Sequence, residues 1–297
     1  MSEIRTALAG VKGAVRFHEP MRLHTSFRIG GPADAYIEPE DEAALCRLMA
    51  QARKVKVPVF VLGGTNLLVR DGGIRGIVVR LTRFDRIEDH QGGLLYVEGG
   101  VGMPRLLKHA LQHKLAGLEF AAGIPGTLAG SVVMNAGTRM GEMKDVVDRV
   151  RMVTPDGEVR ELPADEMGFE YRRTRLPRGI VAGAWLRLRW DPRARMDMTV
   201  KESLQRRKAT QPLALPNAGC VFKNPGGDPA GLLIEAAGLK GAQVGDAQVS
   251  TLHANFIVNR GRATAHDVLS LIRKVGQAVE QTAGVTLQLE VRIVGQA

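Results

Sequence analysis

The sequence predicts an α+β fold in two parts, and three observations carry that prediction. Short apolar runs of strand length, such as Val57-Pro58-Val59-Phe60-Val61-Leu62, alternate with segments whose apolar residues recur at helical spacing. Two loops of small residues, Gly63-Gly64-Thr65-Asn66 and Gly123-Ile124-Pro125-Gly126-Thr127-Leu128-Ala129-Gly130-Ser131, fall in the first half of the chain. A basic stretch opening at Asp191-Pro192 then separates this half from a C-terminal segment of further strands and helices.

Taken in order, residues 1–20 read as a polar lead-in. Gly30-Gly31-Pro32 marks a turn before a short strand at Ala35-Tyr36-Ile37. Asp41 opens a helix with the stripe Leu45, Leu48, Met49 and Ala52; Cys46, beside it, reads as a small buried hydrophobe. Val57 to Leu62 is apolar throughout, as in a strand buried on both faces. Gly63-Gly64-Thr65-Asn66-Leu67 follows. Successive N–H groups in such a loop form a nest that suits a diphosphate, and the same residues read equally well as a tight turn.

Strands are expected from Ile74 to Leu81 and from Leu94 to Glu98. Gly99-Gly100-Val101-Gly102 precedes a helix with Pro104 in its first turn and Leu106, Leu107, Ala110 and Leu111 on one face. This imitates a dinucleotide fingerprint. Arg105, however, stands where a third glycine must let helix and strand approach, which excludes a Rossmann nicotinamide site. The second glycine loop, with Gly126, Gly130 and Ser131, runs into Asn135-Ala136-Gly137. Two nests without a Rossmann pattern suggest a dinucleotide held between two small subdomains.

Thr154-Pro155-Asp156-Gly157 is a hairpin turn. Tyr171-Arg172 reads by default as a solvated pair. Gly179 to Trp185, including Val181, is a strand, with Leu186, Leu188 and Trp190 alternating beyond it. Lys201, Arg206, Arg207 and Lys208 cluster on a helix; a solvated face is the plain reading and a phosphate contact the sharper one. Asn217-Ala218-Gly219-Cys220-Val221-Phe222-Lys223-Asn224-Pro225 then concentrates a thiol, a cation and amides around a glycine, a mixture that cores do not need.

Ala230 to Leu239 reads as a helix ending near Gly238, and Val249 to Asn259 leads into a strand. His253 reads as a structural hydrogen-bonding residue, because no second ligand stands at helical spacing from it, and no metal site is expected in the chain. Thr264-x-x-Asp267 caps a last helix with the stripe Val268, Leu271, Ile272, Val275 and Val279. In the final strand Val285, Leu287, Leu289, Val291 and Ile293 share one face and Gln288, Glu290 and Arg292 the other. That polar face is turned to water by default and to a site on the functional reading.

Composition narrows the partners. Forty-one Lys and Arg against 31 Asp and Glu leave a net charge of +10, which favours anionic ligands. Nucleic acid is not excluded by charge, but aromatics are only 4% and the basic residues form no block, which argues against a stacking platform for single strands. Two cysteines cannot build a disulfide framework, and the cytosol is the natural compartment. No run of 18 apolar residues or signal-peptide core is present.

These pieces together resemble the UDP-N-acetylenolpyruvoylglucosamine reductase (MurB) family. The matching stretches are His24 to Ala33, Thr65 to Val69, Gly123 to Thr127, Met134 to Gly137, Tyr171-Arg172, Asn217 to Pro225, Gly238 to Gly241, His253 to Asn259 and Glu290-Val291-Arg292, in the family's order. The compact length resembles the family's shorter class. The resemblance implies a flavin-binding domain of the vanillyl-alcohol-oxidase (PCMH) type over 21–190, in subdomains of about 21–80 and 81–190, and an α+β substrate domain over 191–297. It implies non-covalent FAD, NADPH as electron donor, UDP-N-acetylglucosamine enolpyruvate as substrate, and a cytoplasmic monomer that binds neither nucleic acid nor membrane.

By the same resemblance Arg172 and Glu290 polarise the substrate carboxylate, with Glu290 in its acid form, and Cys220 protonates the α-carbon. Most members carry serine at that position; an ordinary thiol, with a pKa of about 8.5, is a far stronger acid than an alcohol. Gly63, Gly64, Thr65, Asn66, Leu67, Gly123, Ile124, Pro125, Gly126, Thr127, Gly130, Ser131, Asn135, Ala136, Gly137 and Val181 are implied as FAD contacts. Tyr171, Lys208, Asn224 and Arg292 are implied as substrate contacts. The family's lysine near Gln211-Pro212 is replaced here by Thr210, and the loop Leu62-Gly63-Gly64-Thr65-Asn66 is one residue shorter than the family's.

Overall fold

The computed structural model describes residues 1–192 and 195–297. Arg193 and Ala194, in the expected basic linker, lie outside the described residues. The chain packs as two compact units, each assembled from three stretches rather than cut once. The first takes Met1–Phe17, Asp34–Gly64 and Gly76–Gln205; the second takes His18–Ala33, Thr65–Arg75 and Arg206–Ala297.

In the first unit, antiparallel strands stand in the order Val159–Pro163, Val147–Val153, Ile180–Arg187, Leu94–Glu98 and Ile87–His90. Val59–Val61 is the edge of a further sheet, where it pairs in parallel with Ile74–Val79. That edge position explains why the run expected to be fully buried is only half-buried and three residues long. The stretch expected to be a polar lead-in is folded. Helix α1 (Ser2–Leu8) puts Ile4, Ala7 and Leu8 into one core with Leu45 and Leu48 of α2 (Glu42–Lys54). Each buried Ile or Leu side chain here contributes roughly 1.5–3 kcal/mol by leaving water. Asp41 caps α2 as its sequence position requires, its carboxylate accepting from Ala44 N–H at 2.7 Å.

Helix α3 (Met103–Gln112) buries Leu106, Leu107 and Ala110, and the short α4 (Leu128–Val133) buries Leu128 and Val132. Gly99 and Gly100 lie where a Cβ would strike the carbonyls of Val181 and Leu81. These glycines serve close packing of backbone. Trp190, expected to alternate inward, is 65% exposed at the end of the short strand Arg189–Trp190. Helix α5 (Met196–Thr210) spans the change of unit at Gln205.

In the second unit, antiparallel strands run in the order Asn217–Cys220, Phe256–Asn259, Ala247–Val249 and Gln243–Val244. Helices α6 (Ala230–Ala236) and α7 (Ala265–Ala283) join a core that includes Phe27, Leu68, Ile257, Leu271 and Val275. Arg292–Val294 pairs in parallel with Leu67–Val69. The final strand is therefore shorter than the alternation from Val285 predicts. Before it the chain meets Phe222 through a single bridge at Leu289, which is 38% exposed rather than buried.

The start of α7 is capped twice. Thr264 and Asp267 form the expected capping box, and the Asp71 carboxylate accepts from Ala265 N–H at 2.9 Å and His266 N–H at 3.0 Å. A negative group at a helix N-terminus satisfies orphan donors and opposes the helix dipole. Asp71→Ala is expected to lower the unfolding free energy by about 1–2 kcal/mol in urea. An unchanged midpoint would mean that water replaces the carboxylate without loss.

Candidate functional site

The first unit brings the two glycine loops together. Thr127 donates to the Gly63 carbonyl through both its amide (3.2 Å) and its hydroxyl (3.1 Å). Thr127 is also the N-cap of α4, accepting from Gly130 N–H at 3.4 Å. A Cβ on Gly130 would stand 2.7 Å from the Gly63 carbonyl oxygen and 3.1 Å from Gly64 N. The loops therefore meet backbone to backbone, as only glycine permits. Gly64 and Pro125 are exposed, and Gly63, Gly123, Ile124, Gly126 and Thr127 are half-exposed, whereas Ser131 and Val181 are buried. A glycine-rich, water-facing pair of loops is the kind of cradle a diphosphate cofactor needs, and these residues fit FAD.

The loop Asn135-Ala136-Gly137 is tied to the hairpin that carries Arg172. Phe169–Glu170 and Arg173–Thr174 pair antiparallel, leaving Tyr171-Arg172 as a two-residue turn. Arg172 sits at φ 57°, a left-handed conformation that costs a non-glycine residue about 1 kcal/mol or more. Its Nη2 donates to the Gly137 carbonyl at 2.9 Å, and its guanidinium lies 4.9 Å from the centre of the Tyr171 ring. Asn135, fully buried, donates to the Glu142 carboxylate and, at 3.1 Å, to the Glu170 carbonyl, while its oxygen accepts from Lys144 N–H at 3.0 Å. Both polar atoms of this side chain are used, and the bond to the Glu170 carbonyl ties the loop to the hairpin.

The second unit carries the thiol and the carboxylate. Cys220 ends the strand Asn217–Cys220 opposite Phe256, after a register shift at Ala218-Gly219. Gly219 takes φ 76° there, and its N–H is held by Asn217 Oδ1 at 2.9 Å. The Val221 carbonyl accepts from Glu290 N–H at 2.8 Å and Val291 N–H at 3.2 Å. Lys223 N–H donates to the Gln288 carbonyl at 2.8 Å. The thiol strand and the Glu290 segment therefore run side by side. Asn66 joins them: its carbonyl accepts from Arg292 N–H at 2.8 Å and its Nδ2 donates to the Glu290 carbonyl at 3.4 Å. Thr65, whose carbonyl takes the Ser26 hydroxyl at 2.8 Å, and Leu67 belong to the same stretch.

One further expected residue has a local partner. Asn224 Oδ1 accepts from Ala230 N–H at 3.1 Å, fastening the loop before α6. Arg292 and Lys208 are exposed.

Sequence reasoning missed two residues. Asn255, 2% exposed, accepts from Phe222 N–H at 2.9 Å and donates to the Phe222 carbonyl at 2.8 Å, which fixes the strand next to Cys220. Arg207, rather than its neighbour Lys208, is the cation of the basic run that turns inward. Burial lowers the pKa of its guanidinium, and attraction to Cys220 works against that lowering. The run Arg206-Arg207-Lys208 was visible; which member faces the thiol depends on the phase of α5.

His253 is the structural residue its context suggested. Its Nδ1 accepts from Asn255 N–H at 3.3 Å, and its ring lies 4.8 Å from that of Phe256. Burial lowers its pKa, and Lys240 adds to the effect. The folded state therefore resists protonation. The stability this contributes is fully present above the ordinary imidazole value of about 6.5 and is lost as pH falls below it. His253→Asn is expected to flatten the fall in unfolding free energy between about pH 7 and pH 5. Parallel curves for the two proteins would contradict it.

The chain is similar to known proteins over nearly its whole length. Residues 33–163 match the family model described as FAD binding domain, and residues 211–294 match that described as UDP-N-acetylenolpyruvoylglucosamine reductase, C-terminal domain. The chain is 49% identical over 299 residues to UDP-N-acetylenolpyruvoylglucosamine reductase 2 of Symbiobacterium thermophilum, covering 99% of this chain and 97% of that one. It is 46% identical over 288 residues to the reductase of Anaeromyxobacter sp. (strain K), covering 96% of this chain and 87% of that protein. The crystal structure of the reductase from Thermus caldophilus matches with a TM-score of 0.81 at 36% identity, over 96% of this chain and 99% of that one.

Proposed function

The chain belongs to the UDP-N-acetylenolpyruvoylglucosamine reductase family, and on that footing we propose which of its residues carry the reaction. It is an FAD-dependent oxidoreductase that reduces UDP-N-acetylglucosamine enolpyruvate to UDP-N-acetylmuramate for peptidoglycan synthesis, with NADPH as electron source. The observation that supports the assignment of residues best is the pairing of the thiol strand with the Glu290 segment through the Val221 carbonyl.

The glycine loops would hold FAD, which when reduced would supply the hydride that the β-carbon of the enolpyruvyl group takes up. Negative charge then develops on the α-carbon and its carboxylate. Arg172 offers a planar, permanently charged fork to that carboxylate, and Glu290 offers a hydrogen bond. Cys220 delivers the proton to the α-carbon: the S–H bond breaks, the C–H bond forms, and the thiolate left behind takes a proton from water. Arg207 provides positive charge near that sulfur.

The loop pair Gly63-Gly64 and Gly123 to Thr127, with Gly130, Ser131, Asn135, Ala136, Gly137 and Val181, holds FAD together with Thr65, Asn66 and Leu67. Tyr171, Lys208, Asn224 and Arg292 bind the sugar nucleotide. The enzyme acts as a cytoplasmic monomer without nucleic acid. Two free cysteines and a positive charge answered by anionic ligands support that placement.

The test is an anaerobic titration of the yellow protein. NADPH is expected to bleach the flavin, and UDP-N-acetylglucosamine enolpyruvate to restore its absorbance. Flavin that is bleached but not restored by this substrate overturns the reading.

A further inference from the structure

We propose that Asp89, His109 and His113, in the first unit, form a binding site for one divalent transition-metal ion of the zinc class. Helix α3 sets His109 and His113 one turn apart, so their rings share a face; the ring centres are 4.1 Å apart and the planes are inclined by 18°. The strand Ile87–His90 brings Asp89 to the same point. Its Oδ1 is 3.0 Å from His109 Nε2 and its Oδ2 is 3.8 Å from His113 Nδ1.

One ligand atom from each residue lies within 4.8 Å of the others. Zinc bonds of about 2.0–2.2 Å to nitrogen and oxygen put the ligand atoms of a tetrahedral site roughly 3.4 Å apart. A small rotation of the exposed His113 ring closes that difference. Two imidazoles and a carboxylate form a donor set that suits zinc, cobalt and nickel and leaves a position for water.

The surroundings favour a cation. His113 is the C-cap that follows α3, where the helix dipole presents its negative end. Arg187 and Arg189 line the same cavity as Asp89 and His113, but each is already paired, Arg187 with Asp148 at 2.7 Å and Arg189 with Asp191 at 3.0 Å. No step of the reductase reaction uses these three residues. The ion would clip strand Ile87–His90 to the end of α3. The expectation that the chain holds no metal site rested on His253; the pair at 109 and 113 has helical spacing, but its third partner stands 20 residues earlier.

The experiment uses the flavin-loaded full chain, stripped with a chelator and titrated calorimetrically with zinc chloride. One equivalent should bind, and His109→Gln, His113→Gln and Asp89→Asn should each weaken binding by about tenfold or more, while His266→Gln leaves it unchanged. Because a variant can lose binding by misfolding, thermal unfolding is followed with and without zinc. All four variants should match the wild type without zinc, and zinc should raise the midpoint of the wild type and His266→Gln alone. The proposal is overturned if no equivalent binds below about 1 mM, or if His113→Gln binds zinc as the wild type does.

Discussion

Cys220→Ala is expected to leave reduction of the flavin by NADPH intact while slowing its reoxidation by the enol-ether substrate by about 10²–10⁴-fold, the usual contribution of a positioned general acid. The division between half-reactions is what identifies the role. Cys220 is held through its backbone, opposite Phe256 and next to the Val221 carbonyl that anchors Glu290. Removing the sulfur leaves that scaffold standing. Cys220→Ser, which keeps a donor of similar size, should recover a large part of the lost rate. Single-turnover stopped-flow of flavin absorbance separates the two steps. Equal reoxidation by wild type and the alanine variant would remove Cys220 from the mechanism.

Glu290→Ala should lower the same reoxidation step by about 10²–10³-fold, the range typical of removing one group that stabilises developing charge. Here too the backbone argument separates chemistry from folding. The N–H of Glu290 donates to the Val221 carbonyl, and its carbonyl accepts from Asn66, so the segment is held without the carboxyl group. The effect should fall on kcat more than on KM, since the interaction strengthens only as charge develops. A rise in KM with kcat unchanged would make Glu290 a binding group instead.

Local chemistry was readable in the sequence. The caps at Asp41 and Thr264, the turn at Gly157 and the stripes of α2, α3 and α7 depend on residues within a few positions of one another, and they fold as written. The two glycine loops stood out in the sequence, although Gly63-Gly64-Thr65-Asn66 read equally well as a nest and as a tight turn. What escaped is what long-range pairing decides. Leu67–Val69 meets Arg292–Val294 across most of the chain, and that pairing brings Asn66 to Glu290. Alternation from Val285 to Ile293 could not reveal that Arg292–Val294 alone pairs with Leu67–Val69, that residues 288–291 run beside 221–223 instead, and that Leu289 is exposed. Asn255 and Arg207 escaped for the same reason: an asparagine in a strand run and one arginine among three cations acquire meaning only when the thiol strand is placed beside them.

The proposed proton donor is a thiol, not an alcohol. This is tested most directly by the pH profile of substrate-dependent flavin reoxidation in the wild type and in Cys220→Ser. A thiol stops donating once it ionises, so the wild-type rate should fall on an alkaline limb that the serine variant lacks over the same range. The same alkaline limb in both proteins would contradict it.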